Sequence, residues 1–288
     1  MQDIINLNIA DFSIKLYADF PLELESGYFP FVTNKDSNTP DVEIFCYKGI
    51  PANALDGYKL VFEGENTEQK FYSIYKKNKE LGFIMYNQQN INEIQQIAYL
   101  NEDLSVWKVY NYLDSENKPV PLKYPMGPIM MHYLAQKCGA VMMHASCAYD
   151  GVKGRLFTGF SGNGKSTMSK IWSDAGSLII NDDRIIIRKT EDGYIAYNTP
   201  MFYQDIPKKA PLNAIYLISH SPENRIKKLG GAIAVSRVMA FCIQNNFEKH
   251  LIKNHLEFFS AICVDLPIFD FGFVPDTSVI DCIHTHGI

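Results

Sequence analysis

Arg155-Leu156-Phe157-Thr158-Gly159-Phe160-Ser161-Gly162-Asn163-Gly164-Lys165-Ser166-Thr167 is the stretch from which the rest of this 288-residue chain can be read. It satisfies the spacing G-x-x-x-x-G-K-[ST] with Gly159, Gly164, Lys165 and Ser166. Each residue type answers a physical demand. Glycines turn the backbone tightly enough for successive N–H groups to point at phosphate oxygens. A lysine reaches the outer phosphates, and a serine hydroxyl can sit on a magnesium ion. An apolar run from Leu156 to Thr158 predicts a strand before the loop, and Ser166 to Trp172 predicts a helix after it. The helix would add its positive end to the same place. Gly159, Phe160, Ser161, Gly162, Asn163, Gly164, Lys165, Ser166 and Thr167 are therefore read as a phosphate cradle.

Working outward, Ser177 to Ile180 reads as a strand that runs straight into Asn181-Asp182-Asp183. A strand end that delivers carboxylates beside a phosphate loop is how such enzymes complete a magnesium site. Upstream, Ala140 to Tyr149 (AVMMHASCAY) reads as another strand, with His144 inside it. Before that, Met126, Ile129, Met130, Tyr133 and Leu134 recur at helical spacing and predict an amphipathic helix ending near Gly139, its methionines filling core. Downstream, Arg184–Arg188 and Tyr194–Tyr197 predict a hairpin around Glu191-Asp192-Gly193, and Leu212–Ser219 a strand. Helices are expected over Gly230–Asn246 and Phe247–Cys263, then a strand over Pro267–Phe273 and a short last helix opened by Pro275-Asp276-Thr277.

Residues 1–120 are β-rich. Asp41–Tyr47, Tyr58–Glu63, Phe71–Lys76 and Leu81–Tyr86 carry aromatic and β-branched residues between turn-forming stretches, and a further pair is expected over Gln95–Leu100 and Leu104–Tyr112. An antiparallel meander with one buried face follows from that spacing. Its tyrosines are read as core or half-buried sheet residues, and no chemistry is legible there. Asp114 to Pro121 (DSENKPVP) is the linker candidate. The expectation is a mixed α/β (α+β) chain: a β-rich region at 1–120 and a nucleotide-binding region at 121–288.

Composition narrows the partners. Hydrophobic residues make up 47% and charged residues 20%, as in globular proteins, and the net charge of -5 argues against a nucleic-acid partner held by a basic field. No run approaches the roughly 20 apolar residues of a membrane helix. The first residues, MQDIINLNIADF, lack the apolar core of a secretory leader. None of the six cysteines forms a C-x-x-C pair, so reduced thiols in a cytoplasmic protein are expected. His250, His255, His284 and His286 fit no ligand pattern. Nothing in the sequence decides between a monomer and a homo-oligomer.

With Met143-His144, Gly151, the loop Gly159–Ser166, Gly176 and Asp182-Asp183 in this order and separation, the segment resembles the catalytic domain of HPr kinase/phosphorylase. That family is related in fold to the nucleotide-binding half of phosphoenolpyruvate carboxykinase. The match is close over about forty residues and loose over 125–285. The resemblance implies an ATP-dependent kinase acting on a hydroxyl of a small molecule or a protein serine, with magnesium. It implies that backbone amides of Gly159 to Lys165 hold the phosphates and Lys165 neutralises the transferring phosphoryl. It implies that Ser166 and Asp182 are magnesium ligands, Asp183 the general base, and His144 an active-site histidine beside the nucleotide. The family's downstream E-x-R-G-[LI]-G segment, which supplies a second metal-binding glutamate, has no counterpart here. Thr199 to Asp205 stands in roughly that place, and Asp205 is the nearest carboxylate available as a substitute ligand. Residues 1–120 show no resemblance to that family's N-terminal domain. A nucleotide-sensing module without an acceptor is the alternative expectation. A hydrolytic ATPase fits less well, since it would need a water-orienting side chain and an arginine finger; Arg237 is the first arginine to test for that.

Overall fold

The computed structural model describes residues 3–35, 37–65, 69–87, 90, 93–112, 118–243 and 247–285. The chain is mixed α/β, built on two sheets, and divides into two compact units. The first comprises Met1–Cys138 and Pro200–Ile206, and the second Gly139–Thr199 and Pro207–Ile288. The sequence had placed the division near residue 120. The helix beyond it belongs instead to the first unit, because that helix packs its aromatic face on the first sheet. The first half of the linker candidate, 114–117, lies outside the described residues, and the second half, 118–121, is tied into the first unit, where the Pro119 carbonyl accepts from the Glu23 N–H (3.2 Å).

In the first unit, β1 (Asp3–Ile9) and β2 (Phe12–Ala18) form a hairpin. Ala10 and Asp11, at φ +54 and +58, make the two-residue turn between them. β3 (Val42–Lys48) follows, then β4 (Lys59–Glu65), β5 (Lys70–Lys77), β6 (Glu80–Tyr86), β7 (Ile94–Leu100) and β8 (Val106–Asn111). The sheet order is β1-β2-β3-β8-β7-β6-β5-β4. The expected antiparallel meander holds from β4 to β8. It does not extend to β3, which pairs parallel with both β2 and β8. Strand alternation buries Leu7, Ile9, Ile14, Leu16, Val42, Ile44, Phe83, Met85, Trp107 and Val109. Helix α1 (Met126–Lys137) covers this side, with Tyr133 edge-on to Phe83 (5.5 Å) and Trp107 (5.9 Å). Its Met126, Met130 and Met131 are buried. The alternate positions stack along the other side, Tyr17 on Phe45 and Tyr47 on Tyr110, and are half-buried apart from the more open Tyr47.

The second unit holds β9 (Val141–Tyr149), β10 (Gly154–Thr158), α2 (Lys165–Asp174), β11 (Leu178–Asn181), β12 (Arg184–Thr190), β13 (Gly193–Asn198), β14 (Lys209–Leu212), β15 (Ala214–His220) and β16 (Arg225–Leu229). α3 (Gly231–Met239), α4 (Lys249–Asp265), β17 (Ile268–Phe273) and α5 (Ser278–Thr285) complete it. The sheet order is β14-β13-β12-β9-β10-β15-β17-β16, with β11 also on β9. β10, β15 and β17 run parallel, and β9 runs against β10. One apolar face of the sheet (Met143, Cys147, Leu156, Leu217 and Ile268) packs on α3 and α4 through Val238, Phe259 and Ile262. The other (Phe157, Tyr216, Phe269 and Phe271) packs on α2 and α5 through Met168, Trp172, Val279 and Ile283. The result is three layers, helices on both sides of a largely buried sheet. α3 stops at Met239, short of the expected Asn246, and residues 244–246 lie outside the described residues.

The six cysteines are free, Cys46, Cys147 and Cys242 buried among apolar side chains. Among the described residues no helix is long and apolar enough to cross a membrane.

Candidate functional site

β9 is the ruler of the site. Its first half pairs with β12, with His144 opposite Arg184. Its second half pairs with β10 on one side and β11 on the other. Ala145, in the middle, stands opposite Thr158, the last residue before the glycine loop. On its other side the Ala145 N–H donates to the Asp183 carbonyl (3.0 Å). The loop and the aspartate pair therefore leave the sheet at one level, either side of a single strand.

The loop itself has the shape its glycines predict. Gly162 and Gly164 lie at φ +83 and +90, in the left-handed region. Gly159 has a Cβ-sized space closed by the Ile218 carbonyl at 2.7 Å, so any side chain there would collide with backbone. α2 starts at Lys165, directly after Gly164. Lys165 Nζ donates to the carbonyls of Gly159 (3.0 Å) and Phe160 (3.2 Å), folding the amine back over the loop. Burial pulls its pKa down, and the nearby Asp183 carboxylate opposes that. Ser166 and Thr167 are exposed on the first turn of α2, and Phe160 projects 70% exposed with its ring edge-on to Phe241 (5.0 Å). Ser161 is exposed at the loop tip.

Asp182 and Asp183 are set by a side chain whose role the sequence did not announce. The Oδ1 of buried Asn181 accepts the N–H groups of both Asp182 (2.7 Å) and Asp183 (3.2 Å). Asp183 Oδ1 lies 3.4 Å from His144 Nε2, and its Oδ2 lies 3.1 Å from Arg184 Nη2. Burial lowers the His144 pKa, the charge of Lys165 lowers it further, Asp183 pulls it back up, and Arg184 lowers it again. The balance is downward, so His144 holds a proton less readily than a free imidazole despite its carboxylate neighbour. Lys165, His144, Asp183 and Arg184 form one electrostatically coupled cluster. Thr158 and Ser146 brace it: Thr158 Oγ1 donates to the His144 carbonyl (2.9 Å), and Ser146 Oγ to the Lys165 carbonyl (3.3 Å).

The structure thus brings together the loop, Lys165, His144 and Asp183, with Asp182 beside them on the same turn. Arg184 was the unremarked member; only the register of β12 on β9 reveals it. Arg237 is not in this group. It lies on α3 and makes a two-pronged pair with Asp270 of β17 (2.8 and 3.0 Å). Asp205 belongs to the first unit, so its candidacy rests on sequence position alone. His250 sits 3.4 Å from Glu248, His255 is buried against Phe259, and His284 lies 4.0 Å from Asp150. His286 lies outside the described residues.

Among the described residues no three His, Cys, Asp or Glu side chains gather to hold a metal by themselves. Magnesium that arrives on a nucleotide needs fewer, because it keeps several waters and takes phosphate oxygens as ligands. The Ser166 hydroxyl and the Asp182 carboxylate are hard oxygen donors of that kind.

No family model and no curated protein matches the chain. Among solved structures, the Hpr(Ser) kinase/phosphatase from Coxiella burnetii aligns with 50% of this chain and 95% of its own, at 12% identity and a TM-score of 0.30. At that score the likeness is loose, and the reading of the site rests on the site's own geometry.

Proposed function

We propose that the second unit is an ATP-dependent phosphotransferase that moves the γ-phosphoryl group to a hydroxyl acceptor. The observation that carries this is the placement of Asp183 and the glycine loop on either side of Ala145, which sets a carboxylate at the end of a phosphate cradle. The nucleotide phosphates lie against the N–H groups of Gly159 to Lys165 and the start of α2. Lys165 leaves its two carbonyls and meets the outer phosphates. Magnesium, held by Ser166 and Asp182, would supply neutralising charge on those oxygens.

The acceptor hydroxyl approaches the γ-phosphorus from the Asp183 side. Its oxygen forms the new O–P bond as the bond from phosphorus to the β,γ-bridging oxygen breaks, ADP leaves, and the hydroxyl proton passes to the Asp183 carboxylate. A carboxylate in hydrogen-bond reach of the attacking hydroxyl typically contributes about 10²- to 10⁴-fold in rate. Arg184 and His144 each face one Asp183 oxygen and hold its orientation. Incubation with γ-labelled ATP and cell extract tests the reading. Label should enter a hydroxyl-bearing metabolite or a protein serine with the wild type and not with Asp183→Asn. Equal labelling by both removes Asp183 from the base role. Tight Mg-ATP binding with no acceptor labelled would favour a nucleotide sensor instead.

A further inference from the structure

An anion cradle works only if its N–H groups point inward and its carbonyls point away, since a carbonyl oxygen facing a phosphate is repelled. Four of the loop's carbonyls have identifiable donors. Those of Gly159 and Phe160 accept from Lys165 Nζ, and Phe160 also from the Asn163 N–H (3.1 Å). The Gly164 carbonyl accepts from the Met168 N–H within α2 (2.8 Å). The Gly162 carbonyl, at the loop's apex, accepts from a side chain 58 residues away: His220 Nε2, at 3.1 Å.

His220 is the last residue of β15, the strand parallel to β10. Two residues before it, the Ile218 carbonyl accepts from Asn163 Nδ2 (2.9 Å). The end of β15 thus grips the loop at Gly162 and at Asn163. The imidazole also fits the loop's shape. A Cβ on Gly164 would meet Phe273 Cζ at 2.6 Å and His220 Cε1 at 3.2 Å, so these two rings, 5.3 Å apart, pack against the left-handed glycine. His220 is nonetheless exposed, which removes core packing as the reason for its place.

We propose that His220 is a positioning residue of the phosphate loop, its Nε2–H holding the Gly162 carbonyl outward so that the amides beyond it face the phosphates. This rests on the nucleotide-binding reading above. The bond does not involve Lys165, so it can persist when that amine swings to the ligand.

The test is calorimetric titration of inorganic triphosphate and of Mg-ATP into the full chain, as wild type, His220→Ala and His220→Gln. Loss of the donor should weaken both ligands by about five- to tenfold, the size of one hydrogen bond. The melting temperature should stay unchanged, and His220→Gln, whose carboxamide can donate, should come back to within about twofold of wild type. His220→Ala binding both ligands as the wild type does would overturn the proposal. So would His220→Gln binding no better than His220→Ala, which would leave only ring packing. A wild type that binds neither ligand would overturn the nucleotide reading and this inference with it, an outcome distinct from the other two.

Discussion

Both units lay helices on an apolar sheet face, yet they treat their polar groups in opposite ways. In the first, the buried carboxamide of Gln96 is tied to Asn111 (2.8 Å) and to the carbonyls of Val120 (2.9 Å) and Pro121 (3.1 Å). That cluster locks strands to the chain that follows them. In the second, buried Lys165, half-buried Asp183 and Arg184 and exposed His144 gather at a strand end, beside a loop whose glycines are bent into left-handed turns. In the first, the N–H groups of the Gln96 carboxamide serve the fold. The second keeps charge concentrated where a ligand can reach it, and that is the physical mark of a site.

Breaking the second unit's cluster should leave the fold and remove the chemistry. Asp183→Asn is expected to lower the rate of phosphoryl transfer by about 10²- to 10⁴-fold with an unchanged melting temperature, read by label transfer. The converse holds in the first unit. Trp107→Ala empties the space under Tyr133 and should cost about 3–5 kcal/mol in denaturant unfolding.

His255 sharpens the contrast between a titrating group that serves a site and one that is only buried. Burial lowers its pKa to about 4 from the ordinary 6.5. The unfolded chain therefore binds a proton in that window that the folded chain refuses. Stability is fully present above about pH 6.5 and falls as pH drops toward 4, by about 3 kcal/mol from this group. His255→Leu should flatten that part of the curve in unfolding measured from pH 7 to 4. The smallest effect is expected from the exposed pair Lys170–Asp174 on α2, 2.8 Å apart. Lys170→Ala should change stability by no more than about 0.5 kcal/mol and leave nucleotide affinity alone, although it sits one turn from the loop.

The second unit was legible from its loop because a local pattern dictates local geometry there: glycines at two left-handed positions, then a helix start. Strand segments with aromatic and β-branched runs were legible for the same reason. Pairing was not. β3 sits parallel between β2 and β8, and nothing in the spacing of Val42–Lys48 distinguishes that from a meander. β1 alternates inward Leu7 and Ile9 with outward Asn6 and Asn8, a pattern too polar to stand out as an apolar run. The overlooked β14 (KAPL) and β16 (RIKKL) are the two edges of their sheet, where proline and lysine discourage further pairing and also hide a strand's signature. Helix α1 was found by its periodicity, but periodicity does not say which sheet it covers. Arg184 and Asn181 were invisible as site residues because their roles come from register and from a side-chain bond to the turn.

The proposed function requires that the loop from Gly159 to Thr167 hold nucleotide phosphates through Lys165. Equilibrium titration of Mg-ATP into wild type and Lys165→Ala, with melting curves to verify both are folded, tests it most directly. Saturable one-to-one binding by the wild type, weakened at least about tenfold in the variant, is the predicted result. Equal affinity in the two folded proteins, or no binding by the wild type, would contradict it.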